Sequence, residues 1–203
     1  MPKKATRLEN ARSRMYHDLL FDSAEVVFGT SGFGGATMQD IAAEAGVSLK
    51  TLYATYASKQ ELYDEVMRVR ATEFVQLAGA AMEGADDAIE RVRRGVVAYV
   101  EFLLAHEAWL RIHLRGRIAW SMKPQGKDAA AAWRQGLDDY ARVIHEGQQQ
   151  GVFCEGDAME LAILAQAVMQ VQMARAIERK ERDSSAVVES MLAHLWRLLG
   201  VAR

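Results

Sequence analysis

Cys154 is the only cysteine among 203 residues. An intramolecular disulfide and a cysteine cluster for zinc are therefore both excluded. Proline is almost as scarce: Pro2 and Pro124 lie outside every stretch with helical periodicity. Sustained alternating runs of β-branched residues are also missing, so nothing in the chain reads as a sheet. No apolar run approaches the roughly 18 residues of a membrane span, and the start lacks the apolar core of a secretory signal. The expectation is a cytoplasmic protein without a membrane segment. Nor is there an excess of charge, since 25 Lys and Arg face 27 Asp and Glu, a formal net charge of −2. A generally basic coat is excluded, and any nucleic-acid site must gather its cations locally. They do gather at the start, where Lys3, Lys4, Arg7, Arg12 and Arg14 outweigh Glu9 before Met15. Residues before about Ala11 read as a basic arm able to reach a DNA backbone or minor groove.

Catalytic and metal patterns are absent as well. None of His17, His106, His113, His145 and His194 follows a Glu at i−3, and no His-Glu-x-x-His occurs. That removes the usual ligand spacing of helical di-iron sites and zinc peptidases. There is no G-x-S-x-G, phosphate-binding loop or G-x-G-x-x-G, and Cys154 sits in a Gly-flanked turn without an identifiable base. No metal, cofactor or enzyme activity is expected; a helical-bundle enzyme is the remote alternative.

What the chain does have is helix formers with a 3.6-residue apolar period, and half of its residues are hydrophobic. The expected fold is all-α, with about nine helices. Met15, Leu19, Leu20, Ala24, Val27 and Phe28 mark a support helix from Ala11 to Gly29, with Phe33 closing its small core. Met38, Ile41, Ala42 and Ala45 mark a second helix, which Thr37 is placed to cap. Gly46 then supplies a positive-φ stop, and Ser48 caps a third helix with Leu49, Leu52, Tyr53 and Tyr56 on one face. Lys50, Thr51, Ala54 and Thr55 point the other way. Small or hydrogen-bonding groups on that face suit a helix that enters a major groove. Ser58 and Glu61 form an S-x-x-E capping box for a long fourth helix, with Lys59 in its first turn beside free N–H groups that suit a phosphate. The resulting domains are 1–57, a helix-turn-helix DNA-binding head with the basic arm; 58–84, a connecting helix; and 85–203, a helical bundle.

The stretch AGVSLKTLYATYASKQEL resembles the DNA-binding signature of the tetracycline-repressor (TetR) family, matched at Ala45, Gly46, Val47, Ser48, Thr51, Leu52, Tyr53, Ser58, Lys59 and Leu62. Lys50 stands where many members carry glycine, and Tyr56 where phenylalanine is usual. The resemblance implies a transcriptional regulator, usually a repressor, bound to double-stranded DNA at a near-palindrome. It implies Thr37, Thr51, Tyr53, Thr55 and Lys59 as backbone contacts. Ser48, Leu49, Lys50 and Ala54 are the candidates for touching bases, and Lys50 is the sharpest of them. It also implies a small-molecule site in the C-terminal domain.

No motif covers that second site, and its candidates come from pattern alone. Trp109, Ile112, His113, Arg117, Trp120, Trp133, Leu137, Tyr140, Met169 and Met173 form a ring- and sulfur-rich set with few polar members. Mostly apolar pockets are lined this way, and so is an ordinary core. The last two helices, around Ala158 to Ile177 and Ser184 to Leu199, are too broadly apolar for one neighbour, which suits a four-helix homodimer interface. A ligand-independent DNA-binding or protein-interaction module is the alternative from a different class.

Overall fold

The computed structural model describes residues 4–115 and 127–201. Among the described residues there are nine helices and no strand: α1 (Lys4–Gly35), α2 (Met38–Glu44), α3 (Leu49–Thr55), α4 (Lys59–Met82), α5 (Ala88–Ala105), α6 (Glu107–Arg115), α7 (Lys127–Gln149), α8 (Ala158–Glu178) and α9 (Ser184–Leu198). The all-α expectation holds. Helix ends follow the caps seen in the sequence: Asp87 accepts the Glu90 N–H at 2.7 Å, and Asp157 accepts those of Met159 and Glu160 at 2.8 and 2.9 Å.

The chain divides into two compact units, Met1–Val69 with Glu107–Ile118, and Arg70–His106 with Ala119–Arg203. This differs from the division read off the sequence, because α6 packs along α1 and joins the first unit. Helix α4 is continuous, giving its first half to one unit and its second half to the other.

In the first unit Leu20, Ala24 and Phe28 recur at i, i+4 and i+8 on α1 and are fully buried. They meet Ile41 and Ala42 of α2, Leu52 of α3, and Leu62, Tyr63 and Val66 of α4 in the core. Phe28 and Phe33 both pack edge-on against the Tyr63 ring, at 5.1 and 4.8 Å, so Phe33 closes this core as expected. Two apolar positions assigned to it are corrected: Met15 is 57% and Leu19 40% exposed. Both lie on the exposed side of α1. The backbone is helical back to Lys4, so that residues 4–10 of the basic arm continue α1, and the non-helical residue falls at Gly32 with φ 70°. Gly29 has a different role. A Cβ built on it would lie 2.6 Å from the carbonyl oxygen of Ala108, so the α1–α6 approach requires its missing side chain.

In the second unit α5 packs on α7 and α9, α7 on α8, and α8 on α9. Val92, Val96 and Val100 of α5, Ile144 of α7, Met173 of α8 and Leu195 of α9 are at most 1% exposed. Each such side chain contributes about 1.5–3 kcal/mol of transfer free energy. Arg91 of α5 pairs with Glu146 of α7, and the Ala88 N–H donates to Gln150 Oε1 at 3.2 Å. Helix α8 is not wholly enclosed. Ala162, Ala165, Met173 and Ala176 are buried, whereas Leu164 and Val171 are 45% and 44% exposed. No helix among the described residues is long and apolar enough to cross a membrane.

Candidate DNA-binding face

The corner between α2 and α3 is built as the residues require. Thr37 and Asp40 form a reciprocal capping box at the start of α2: the Asp40 N–H donates to the Thr37 hydroxyl at 3.1 Å, and the Thr37 N–H donates to the Asp40 carboxylate at 3.0 Å. Gly46 takes φ 65°, which lets its own N–H reach the Ala43 carbonyl and that of Val47 reach Ala42. Ser48 accepts the Thr51 N–H at 3.1 Å, and its hydroxyl lies 2.9 Å from that of Thr51. Both helix starts are thus satisfied by residues of the head itself.

Helix α3 buries Leu52 completely, and its C-cap Tyr56 is 2% exposed. These two, one turn apart, are the whole inner edge of the helix. Tyr53 is corrected: read as part of the inward face, it is 50% exposed. It lies about 100° round the helix from Leu52, beyond the width of stripe that a seven-residue helix buries. Leu49 is likewise only half-buried. Ser48, Lys50, Tyr53 and Ala54 are exposed, with Thr51 and Thr55 intermediate, so all six lie within reach of solvent. Thr55 donates to the Thr51 carbonyl at 3.3 Å. The outward set named from the sequence is therefore brought together on one accessible surface, and Thr37 stands exposed at the start of α2.

Lys59 is placed differently. Its ammonium donates to the carbonyl oxygens of Phe33 and Ala36 at 2.7 and 2.8 Å and lies 4.5 Å from the centre of the Phe33 ring. It ties the end of α1 to the start of α4, where the chain past Gly32 leaves carbonyls without helical partners. The capping box at α4 is also shifted by one. Ser58 accepts the Glu61 N–H at 3.1 Å, but Glu61 reaches back to the N–H of Ala57 at 2.7 Å. Lys59→Met keeps the apolar stem and removes the charge. The expected outcome is a loss of about 1–2 kcal/mol of stability in thermal unfolding; an unchanged midpoint with weaker DNA binding would restore Lys59 as a phosphate contact.

A second tie escaped the sequence. His17 of α1 donates from Nε2 to Glu65 of α4 at 3.1 Å, and its ring lies 5.5 Å from that of Tyr56. One imidazole thus touches α1, the end of α3 and α4. No spacing rule links residues 48 apart, so only the fold reveals it. Burial, followed by the nearby Glu65 carboxylate, pushes the Tyr56 hydroxyl far above its ordinary pKa, so the ring packs as a neutral group.

The candidate small-molecule residues are distributed over both units. Trp109, Ile112 and His113 belong to α6 in the first unit, where Trp109 and Ile112 are buried. His113 donates to the Trp109 carbonyl at 3.0 Å, and burial lowers its pKa, so it is neutral. Trp133, Leu137, Tyr140, Met169 and Met173 belong to the second unit. Arg117 and Trp120 lie outside the described residues. Among the described residues no group of three or more His, Cys, Asp or Glu is placed to hold a metal ion.

Residues 20–66 match the model of bacterial regulatory proteins of the tetR family. The chain is similar to the uncharacterized HTH-type transcriptional regulator YhgD of Bacillus subtilis, 32% identical over 94 residues, which is 46% of this chain and 49% of that one. It is also similar to the HTH-type transcriptional activator FasR of Mycolicibacterium smegmatis, 34% identical over 84 residues, 41% of this chain and 38% of the relative. The match thus spans half or less of these relatives' lengths. In fold, it is similar to a bacterial regulatory protein in the tetR family from Rhodococcus RHA1, with TM-score 0.78 over 93% of this chain and 98% of that one at 22% identity.

Proposed function

From the match of residues 20–66 to the tetR family of bacterial regulatory proteins we propose that the chain is a cytoplasmic, homodimeric transcriptional repressor of that family. It binds a near-palindromic operator through α3 and releases it when a small, mostly apolar effector occupies the second unit. The observation that carries the DNA reading is the exposed face of α3 from Ser48 to Ala54, held on a helix whose opposite edge, Leu52 and Tyr56, is locked into the core. A rigid helix with a short-side-chain face and one long cation fits the major groove. Two copies related by a two-fold axis would present two such helices, suited to successive grooves about 34–36 Å apart. Since α4 runs without a break from one unit into the other, a displacement of its second half moves its first. A coupling of about 1–3 kcal/mol is enough to change operator affinity 5- to 150-fold.

The test is recovery of bound fragments from sheared genomic DNA at fixed moderate salt, because phosphate contacts dominate affinity. A few sites sharing a near-palindrome are expected; uniform recovery of all fragments would overturn the reading. On the recovered site, Lys50→Ala is expected to cost about 1–3 kcal/mol and to relax preference at one base pair. A loss equal on all sequences would make Lys50 a phosphate contact.

A further inference from the structure

In the second unit the later half of α4 meets α5 and α7. Phe74 of α4 packs against Tyr99 and Phe102 of α5, with ring centres 5.7 and 5.5 Å apart. A Cβ on Gly136 of α7 would lie 3.5 Å from Val75 of α4. One turn past Gly136 stands Tyr140, on the helix face that also carries Trp133, Leu137 and Ile144. The Tyr140 hydroxyl is buried and has no hydrogen-bond partner among the described residues.

That orphan is costly, since desolvating a hydroxyl without a partner costs about 1–3 kcal/mol. Buried polar groups are otherwise almost always paired. The charges of the second unit narrow what would pair with it. Helix α8, packed on α7, carries the fully buried Met173. Among the described residues the buried polar or charged side chains are Ser23 and Glu25, both in the first unit. Among the described residues of the second unit no charged residue is fully buried, and the partly buried cations Arg70 and Arg91 already pair with Glu73 and Glu146. Burial also holds the Tyr140 phenol in its protonated form, far above its ordinary pKa, so it has a proton to donate.

We propose that Tyr140 is the polar anchor of the effector site, donating its O–H to one uncharged oxygen acceptor, a carbonyl or ether, on an otherwise apolar molecule. This rests on the reading of the chain as a ligand-responsive regulator. An ionised head group at the same place is disfavoured, because a charge buried without a countercharge is far more costly than a neutral carbonyl that accepts the phenol proton.

The experiment compares the full-length protein with Tyr140→Phe, using methyl decanoate, decanoate and decylamine as probes of matched chain length. Binding is read by quenching of tryptophan fluorescence, and operator release by the same protein on its recovered site. The native protein is expected to bind the ester at least about tenfold more tightly than either charged probe. Tyr140→Phe is expected to lose about tenfold in ester affinity, the worth of one buried hydrogen bond. Its thermal midpoint without probe should be unchanged or higher, because an unpaired hydroxyl has been removed. Equal ester affinity in the two proteins, preference for a charged probe, binding of no probe, or a lower midpoint would each overturn the anchor. Ester binding that depends on Tyr140 but leaves operator affinity unchanged would keep the anchor and overturn the ligand-responsive reading. Operator release by the ester to the same extent in both proteins would do the reverse.

Discussion

Gly29→Val is expected to destabilise the first unit by about 3 kcal/mol or more, lowering the thermal midpoint by at least about 6 °C. In an ordinary helix interior, replacing glycine by a residue with a side chain stabilises, and alanine gains about 0.5–1 kcal/mol. Here the sign reverses. The new Cβ would stand 2.6 Å from the Ala108 carbonyl oxygen and 3.1 Å from its carbonyl carbon, which are backbone atoms of α6. Backbone cannot rotate aside as a side chain does, so α6 must move away from α1 and open a gap in a close-packed contact. Valine adds two methyl groups to that overlap. Even Gly29→Ala should lose the helix gain and finish below the native protein. Thermal unfolding followed by circular dichroism decides it; an unchanged or raised midpoint for Gly29→Val would mean that α1 and α6 tolerate separation.

The double substitution Leu164→Glu, Val171→Glu is expected to leave the chain monomeric and to weaken operator binding by about 10²–10⁴-fold. These residues are seven apart on α8, hence on one face, and both are nearly half exposed, in a stripe that continues through exposed Glu160, Ala167, Arg175 and Glu178. The protomer's own contacts fall on the side of Ala162, Ala165, Met173 and Ala176. Two charges placed on the free apolar face carry a desolvation cost at any interface formed there, while in the monomer they remain in water. In the proposed dimer the loss on DNA follows from losing the second head, whose binding would be effectively intramolecular once the first is seated. Sedimentation gives the assembly and operator titration the affinity. Retention of a dimer carrying both glutamates would move the interface elsewhere.

The head was legible because its signals are local. Thr37 before Met38, Gly46 at the turn and Ser48 before Leu49 each act within four residues, the range of a cap or a turn. The outward residues of α3 followed from helix periodicity, and Ser48, Lys50 and Ala54 are exposed as read. Period alone places Tyr53 inward, whereas its exposure suits the DNA-backbone role that the family resemblance implies. Lys59 has partners that no local pattern shows. A lysine in a first turn resembles a phosphate contact until the carbonyls of Phe33 and Ala36, more than 20 residues earlier, are seen within reach.

The sequence by itself determined that the described residues are all-α, where α2 and α3 start and stop, and which short segment carries the helix-turn-helix. All of these are written in propensity, capping and period. Only the tertiary structure decided that α6 packs with α1 rather than with the bundle, that Gly29 is needed for that approach, and that His17 clamps α4. It also decided which of the ring and sulfur side chains share a unit and which of their polar atoms stands alone. Such facts depend on pairs of residues far apart in the chain, and the helical period places a residue on a face without saying what that face will meet.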